Sequence, residues 1–123
     1  MKSLLLVAHG SRRQASNVEV TQIAHLLRKR IEAKYPLTEC AFLELAEPLI
    51  PEGIEKLIQA GSTEIVILPY FLSAGRHIQE DVPGIVQSVQ DKYPNIKMTI
   101  APYLGEDDKI VDLLAEISMQ ASA

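Results

Sequence analysis

Four short apolar runs, each separated from the next by a stretch with helical periodicity, constrain this chain more than any other feature. They are "SLLLVA" (residues 3–8), "ECAFLE" (39–44), "EIVILPY" (64–70) and "KMTIAP" (97–102). Runs this short and this continuously apolar describe strands buried on both faces. Between the first two, Ser16 and Glu19 have capping-box spacing, and Val20, Ile23, Leu27 and Ile31 follow at three- and four-residue intervals until "KYP" stops the helix. Ile50, Ile54, Leu57 and Ile58 mark a second helix, closed by Gly61. Ile78, Val82, Ile85, Val86 and Val89 mark a third, in which Pro83 either introduces a kink or sets back the start. A fourth runs from about Glu106 to Ser118, with Ile110, Val111, Leu114 and Ile117 expected to face inward.

Strict alternation of strand and helix implies right-handed crossovers and a parallel sheet with helices on both faces. The expected fold is α/β: one three-layer domain over residues 1–123, with a four-stranded parallel sheet in the common order 2-1-3-4. "EAKYPLTECAFL" and "QDKYPNIKMTIA" repeat the sequence helix, "KYP", strand, a faint sign of two related halves. At 123 residues the chain suits a single core. Aromatic residues make up only 5%, so that core must be aliphatic.

A net charge of −4 without a basic stripe argues against nucleic-acid binding. No apolar run is long enough to cross a bilayer and no cleavage site follows the first strand, so no membrane association and a cytoplasmic location are expected. Cys40 is the sole cysteine. It excludes an intrachain disulfide and a cysteine-based zinc site, and within "CAFLEL" it reads as a small core residue.

In an open parallel sheet, ligands bind beyond the carboxyl ends of the strands where the strand order reverses. In the order 2-1-3-4 that point lies between strands 1 and 3. His9 stands at the end of the first strand, His77 just beyond the third, and Glu44 at the end of the second. Two imidazoles and a carboxylate converging there make an open site for cobalt, nickel, iron or zinc. Each has a plainer alternative: His9 as a turn residue, His77 as a first-turn helix residue, Glu44 as a solvated side chain with Glu47 in its place. His25 falls within the first helix and reads as a surface or packing residue. Neither G-x-G-x-x-G nor G-x-x-x-x-G-K-[ST] occurs, so no nucleotide is expected. The "HG" pair is also similar to the Arg-His-Gly triplet of histidine phosphatases, but Ala8 stands where their arginine would be.

Taken together, "LLLVAHGSR", "FLELAEP" and "PYFLSAGRHIQEDVP" resemble the small sirohydrochlorin chelatases, short relatives of the class II tetrapyrrole chelatases, over about residues 1–105. The resemblance implies insertion of a divalent metal into sirohydrochlorin, for cobalamin or sirohaem synthesis, with no nucleotide or organic cofactor. The metal would be cobalt or iron, or nickel as in some archaeal members. It also implies that His9 and His77 bind the metal together with Glu44, or Glu47 should that assignment slip. Longer members contain two such halves around one cleft, so a chain of this length is expected to pair as a homodimer. The tetrapyrrole carries eight carboxylates. Arg12, Arg76 and, less directly, Arg13 are candidates to grip them, with Ser11 and the backbone of Ala74 and Gly75 approaching the ring. A non-catalytic metal or tetrapyrrole carrier using the same cleft is the alternative from another class.

Overall fold

The computed structural model describes residues 1–122, and Ala123 lies outside them. Its strands are β1 (Lys2–Ala8), β2 (Leu37–Phe42), β3 (Glu64–Pro69) and β4 (Lys97–Ile100). They form one parallel sheet in the order β2-β1-β3-β4. The hydrophobic runs explain that order. Every residue of β1 after Lys2 is buried, as a central strand covered on both faces must be, whereas all of β4 is at least partly exposed, as befits an edge.

Side chains alternate across the sheet and divide the interior in two. Leu5 and Val7 of β1 join Ile65 and Ile67 of β3 beneath α2 (Ile50–Gln59) and α3 (Val82–Lys92). Leu4, Leu6 and Ala8 join Cys40 and Phe42 of β2 beneath α1 (Gln14–Ile31). Cys40 is thus the small core residue its context indicated. Full burial of a leucine or isoleucine contributes roughly 1.5–3 kcal/mol, so these two layers hold the sheet; they are mainly aliphatic, as expected, but Phe42 is fully buried in the second.

α2 ends where Gly61 takes φ +106, with Gly61 N–H donating to Ile58 O and Ser62 N–H to Leu57 O. Pro83 lies in the first turn of α3 and does not kink it. One turn of π-helix, His77–Asp81, precedes that start.

Several expectations need correction. α1 begins at Gln14, so Ser16 lies inside it, and Arg13, the N-cap, makes no side-chain cap. The capping box between Ser16 and Glu19 therefore does not form. Ile23 is exposed, while Asn17 and Ala24 occupy the buried stripe of α1. β2 starts earlier than expected and ends at Phe42, which leaves Glu44 in the following loop.

The largest departure is α4 (Lys109–Ala121), none of whose residues is buried. Val111 is 63% exposed, Leu114 59% and Ile117 52%, because the helix rests on the 3-10 turn Leu104–Glu106 and has no sheet beneath it. No helix among the described residues is long and apolar enough to cross a membrane.

Candidate metal site

β1 delivers His9 to the carboxyl edge, and Gly10 then turns the chain with φ +94. A Cβ at Gly10 would overlap the carbonyl oxygen of Glu44, so glycine is required both for the backbone angle and for that close approach. Two further bonds continue the β1–β2 ladder beyond Phe42: Leu43 N–H donates to Ala8 O, and Glu44 N–H to His9 O at 3.0 Å. This extension of the register carries Glu44 past the strand end and alongside His9.

The side chains meet there. His9 Nε2 lies 2.9 Å from Glu44 Oε2, and His9 Nδ1 lies 2.9 Å from Gly10 O. Glu47 has no such relation to His9. It lines a separate groove with Leu49, Glu52 and Lys56, so of the two carboxylates Glu44 is the one brought to the histidine.

On the neighbouring strand, Tyr70 N–H donates to Val7 O at 2.7 Å and guides the chain into the loop before the π-turn. His77 opens that turn and its Nδ1–H donates to Asp81 Oδ2 at 2.8 Å, which leaves Nε2 as the outward nitrogen. Hydrogen bonding of one imidazole nitrogen to a carboxylate fixes the tautomer and orients the ring for metal binding. The His9 and His77 rings meet edge to face with centroids 4.8 Å apart. Both histidines are about 40% exposed. The arrangement is an accessible pair with a carboxylate beside each member, and among the described residues no three His, Cys, Asp or Glu side chains are placed close enough together, as they stand, to hold a metal ion.

Asp81 escaped the sequence reading, although its four-residue spacing from His77 was a usable signal. Asn17 escaped it as well. Its Oδ1 accepts from Ser11 N–H at 2.9 Å and its Nδ2 donates to Ser11 O at 2.8 Å, so a buried amide on α1 clamps the loop after His9. A polar residue on the inward stripe of an amphipathic helix was the available clue.

The other candidates occupy the same edge. Ser11 Oγ accepts from Arg13 N–H at 3.0 Å. Arg12, Ala74, Gly75 and Arg76 are exposed, and Arg76 Nε lies 3.5 Å from Glu80 Oε2. Leu43, Glu44, His77, Glu80, Asp81 and Ile85 line an open groove of about 490 Å³ beside the histidines. Its carboxylates favour a cation and oppose a phosphate, which argues against a phosphatase. His25 is exposed on α1, beside Thr21, Gln22 and Leu26 and bordering Thr38 and Glu39 of β2, away from His9 and His77.

The architecture is that of a doubly wound α/β protein whose reversal point carries a pair of half-exposed histidines with carboxylates beside them. The chain belongs to the CbiX family, which it matches over residues 3–121. It is 36% identical to the sirohydrochlorin cobaltochelatase of Sulfolobus acidocaldarius, an alignment covering 98% of this chain and 93% of that protein. It is 34% identical to the sirohydrochlorin ferrochelatase of Priestia megaterium, covering 94% of this chain but 43% of that longer protein. The crystal structure of the sirohydrochlorin chelatase SirB from Bacillus subtilis subspecies spizizenii in complex with cobalt superposes with a TM-score of 0.88 at 27% identity, covering 97% of this chain and 50% of that one. The chain thus spans about half the length of some relatives and nearly the whole of others.

Proposed function

We propose that this chain is a sirohydrochlorin chelatase, a single α/β unit over residues 1–123 that inserts Co²⁺ or Fe²⁺ into sirohydrochlorin with release of two protons. The observation that carries the reading is the meeting of His9 Nε2 with Glu44 Oε2 at 2.9 Å beside the His77 ring. Both nitrogens of His9 face oxygen acceptors, Gly10 O and Glu44. A proton held between Nε2 and Glu44 therefore occupies the place where a cation would be shared, and loading the metal displaces it.

The metal is substrate and must leave. Two half-exposed imidazoles and a carboxylate, drawn together around a divalent ion, hold it without enclosing it, and His77, oriented by Asp81, presents Nε2 to the same region. Once the ion passes to the macrocycle, His9 and Glu44 are free to accept the two N–H protons that the ring gives up, a transfer suited to imidazole near neutral pH. Arg12 and Arg76 bind substrate carboxylates, with Ser11 and the backbone at Ala74 and Gly75 against the ring. The acidic groove beside His77 gathers the cation.

The relatives divide between cobalt and iron, so either metal, with nickel a further possibility, fits the same ligands. The product feeds cobalamin or sirohaem synthesis accordingly. The one-half length relative to some members supports pairing of two copies to complete the cleft, and the free, buried Cys40 is compatible with a reducing cytoplasm. Anaerobic mixing of sirohydrochlorin and Co²⁺ with substoichiometric protein is expected to shift the ring's absorption faster than the spontaneous reaction. No acceleration would sink the chelatase reading and leave a carrier.

A further inference from the structure

The turn that carries His77 does little to fix its ring. No residue of the π-turn His77–Asp81 is buried, and the segment that leads into it, residues 72–76, is exposed throughout. Asp81 holds Nδ1 at 2.8 Å. That carboxylate is itself about a third exposed, and one hydrogen bond directs a single ring atom while leaving the ring plane free to swing about it.

The missing restraint comes from Phe71. Its ring lies against the His77 imidazole in an offset stack, with centroids 6.4 Å apart and planes 28° from parallel. Phe71 is anchored where His77 is not. Its side chain packs against the core layer beneath α2 and α3, and its carbonyl oxygen accepts from Gly105 N–H at 2.9 Å. A Cβ at Gly105 would overlap the carbonyl oxygen of Leu72, so the chain after β4 lies directly on the Phe71–Leu72 backbone and holds it down. Contact therefore runs unbroken from the core through Phe71 to His77, and from His77 to the edge-on ring of His9.

The choice of residue fits this role. The chain has only two phenylalanines, and Leu, Ile and Val fill most of the core around Phe71. An aliphatic side chain would fill the same space but would offer no flat face to an imidazole.

We infer that Phe71 is a positioning residue for metal insertion: its ring holds the His77 imidazole in the plane that aims Nε2 at the ion shared with His9 and Glu44. This rests on the reading of His77 as a metal ligand proposed above. Phe71 acts only through His77. Stacking occupies neither ring nitrogen, so Nδ1 stays with Asp81 and Nε2 stays open to the ion. A ring already held in its working plane gives up less freedom when the ion arrives, which strengthens binding without adding a ligand.

The test uses the full chain, first unaltered and metal-free by NMR, then in anaerobic Co²⁺ titration calorimetry. Phe71→Leu keeps apolar bulk without the flat face, Phe71→Tyr keeps the face, and each is also combined with His77→Ala. Nuclear Overhauser effects are expected between the Phe71 ring protons and His77 Hδ2, and the His77 ring protons should shift in Phe71→Leu as the ring current is lost. Co²⁺ affinity should fall about 2- to 10-fold in Phe71→Leu, and Phe71→Tyr should regain most of it. With His77→Ala in place, Phe71→Leu should cost nothing more, because the effect runs through His77. An equal loss in both backgrounds, or unchanged affinity in folded Phe71→Leu, would overturn the inference. Absence of the Overhauser effects in the unaltered protein would overturn it even if Phe71→Leu failed to fold. Co²⁺ binding that shows this coupling without insertion into sirohydrochlorin would support the positioning role and overturn only the chelatase reading. No Co²⁺ binding by the unaltered protein would overturn both.

Discussion

Removing the amide of Asn17 tests how the site is held to its scaffold. Asn17 is 6% exposed and spans the gap between α1 and the loop after His9 with two hydrogen bonds to the Ser11 backbone, at 2.9 and 2.8 Å. Substitution by alanine deletes both. Each typical intramolecular hydrogen bond contributes about 1 kcal/mol net. Ser11 is half-buried, so water reaches its freed N–H and C=O and most of the added penalty for an unsatisfied buried group is avoided. The expected loss is therefore about 2 kcal/mol, which for a domain of this size is a fall in Tm of roughly 8 °C. Urea unfolding followed by circular dichroism measures it, with an unchanged m-value showing that the denatured state is not the cause. Asn17→Asp keeps the acceptor for Ser11 N–H but sets an acceptor against Ser11 O, and should be no better than alanine. A loss below ~0.5 kcal/mol for Asn17→Ala, within the range of surface substitutions, would refute the clamp.

Four further substitutions bear on the site. Gly10→Ala forces a side chain into a positive-φ position against Glu44 O; it should cost about 1–3 kcal/mol from backbone strain and lower metal-insertion rates by displacing Glu44 from His9. Asp81→Asn removes the carboxylate that orients His77, and metal affinity read by titration calorimetry should fall about 10- to 100-fold with little change in Tm. Glu44→Gln should weaken Co²⁺ binding clearly while Glu47→Gln leaves it unchanged, and equal effects would mean that the contact with His9 is not the determinant.

The strands were legible because parallel strands buried on both faces leave continuous apolar runs, and topology alone then sent His9 and His77 to one edge. The contact of Glu44 with His9 was not legible in detail: two loop hydrogen bonds beyond Phe42 carry it there, and no side-chain pattern encodes them. Asn17 was hidden because a polar residue is ordinarily placed on the solvent side of a helix, and the Ser16–Glu19 cap was inferred from spacing while α1 begins at Gln14. α4 shows another limit. Its stripe was expected to face inward, but periodicity does not say whether a surface lies within reach, and in the structure Val111, Leu114 and Ile117 stay exposed.

The most direct measurement of the central claim compares initial rates of anaerobic Co²⁺ insertion by the unaltered protein, His9→Ala, His77→Ala and His25→Ala, each checked for folding by circular dichroism. The paired-histidine account predicts that His9→Ala and His77→Ala lose most activity while folded and that His25→Ala retains it. Full activity in either site variant, or a loss confined to His25→Ala, would contradict it.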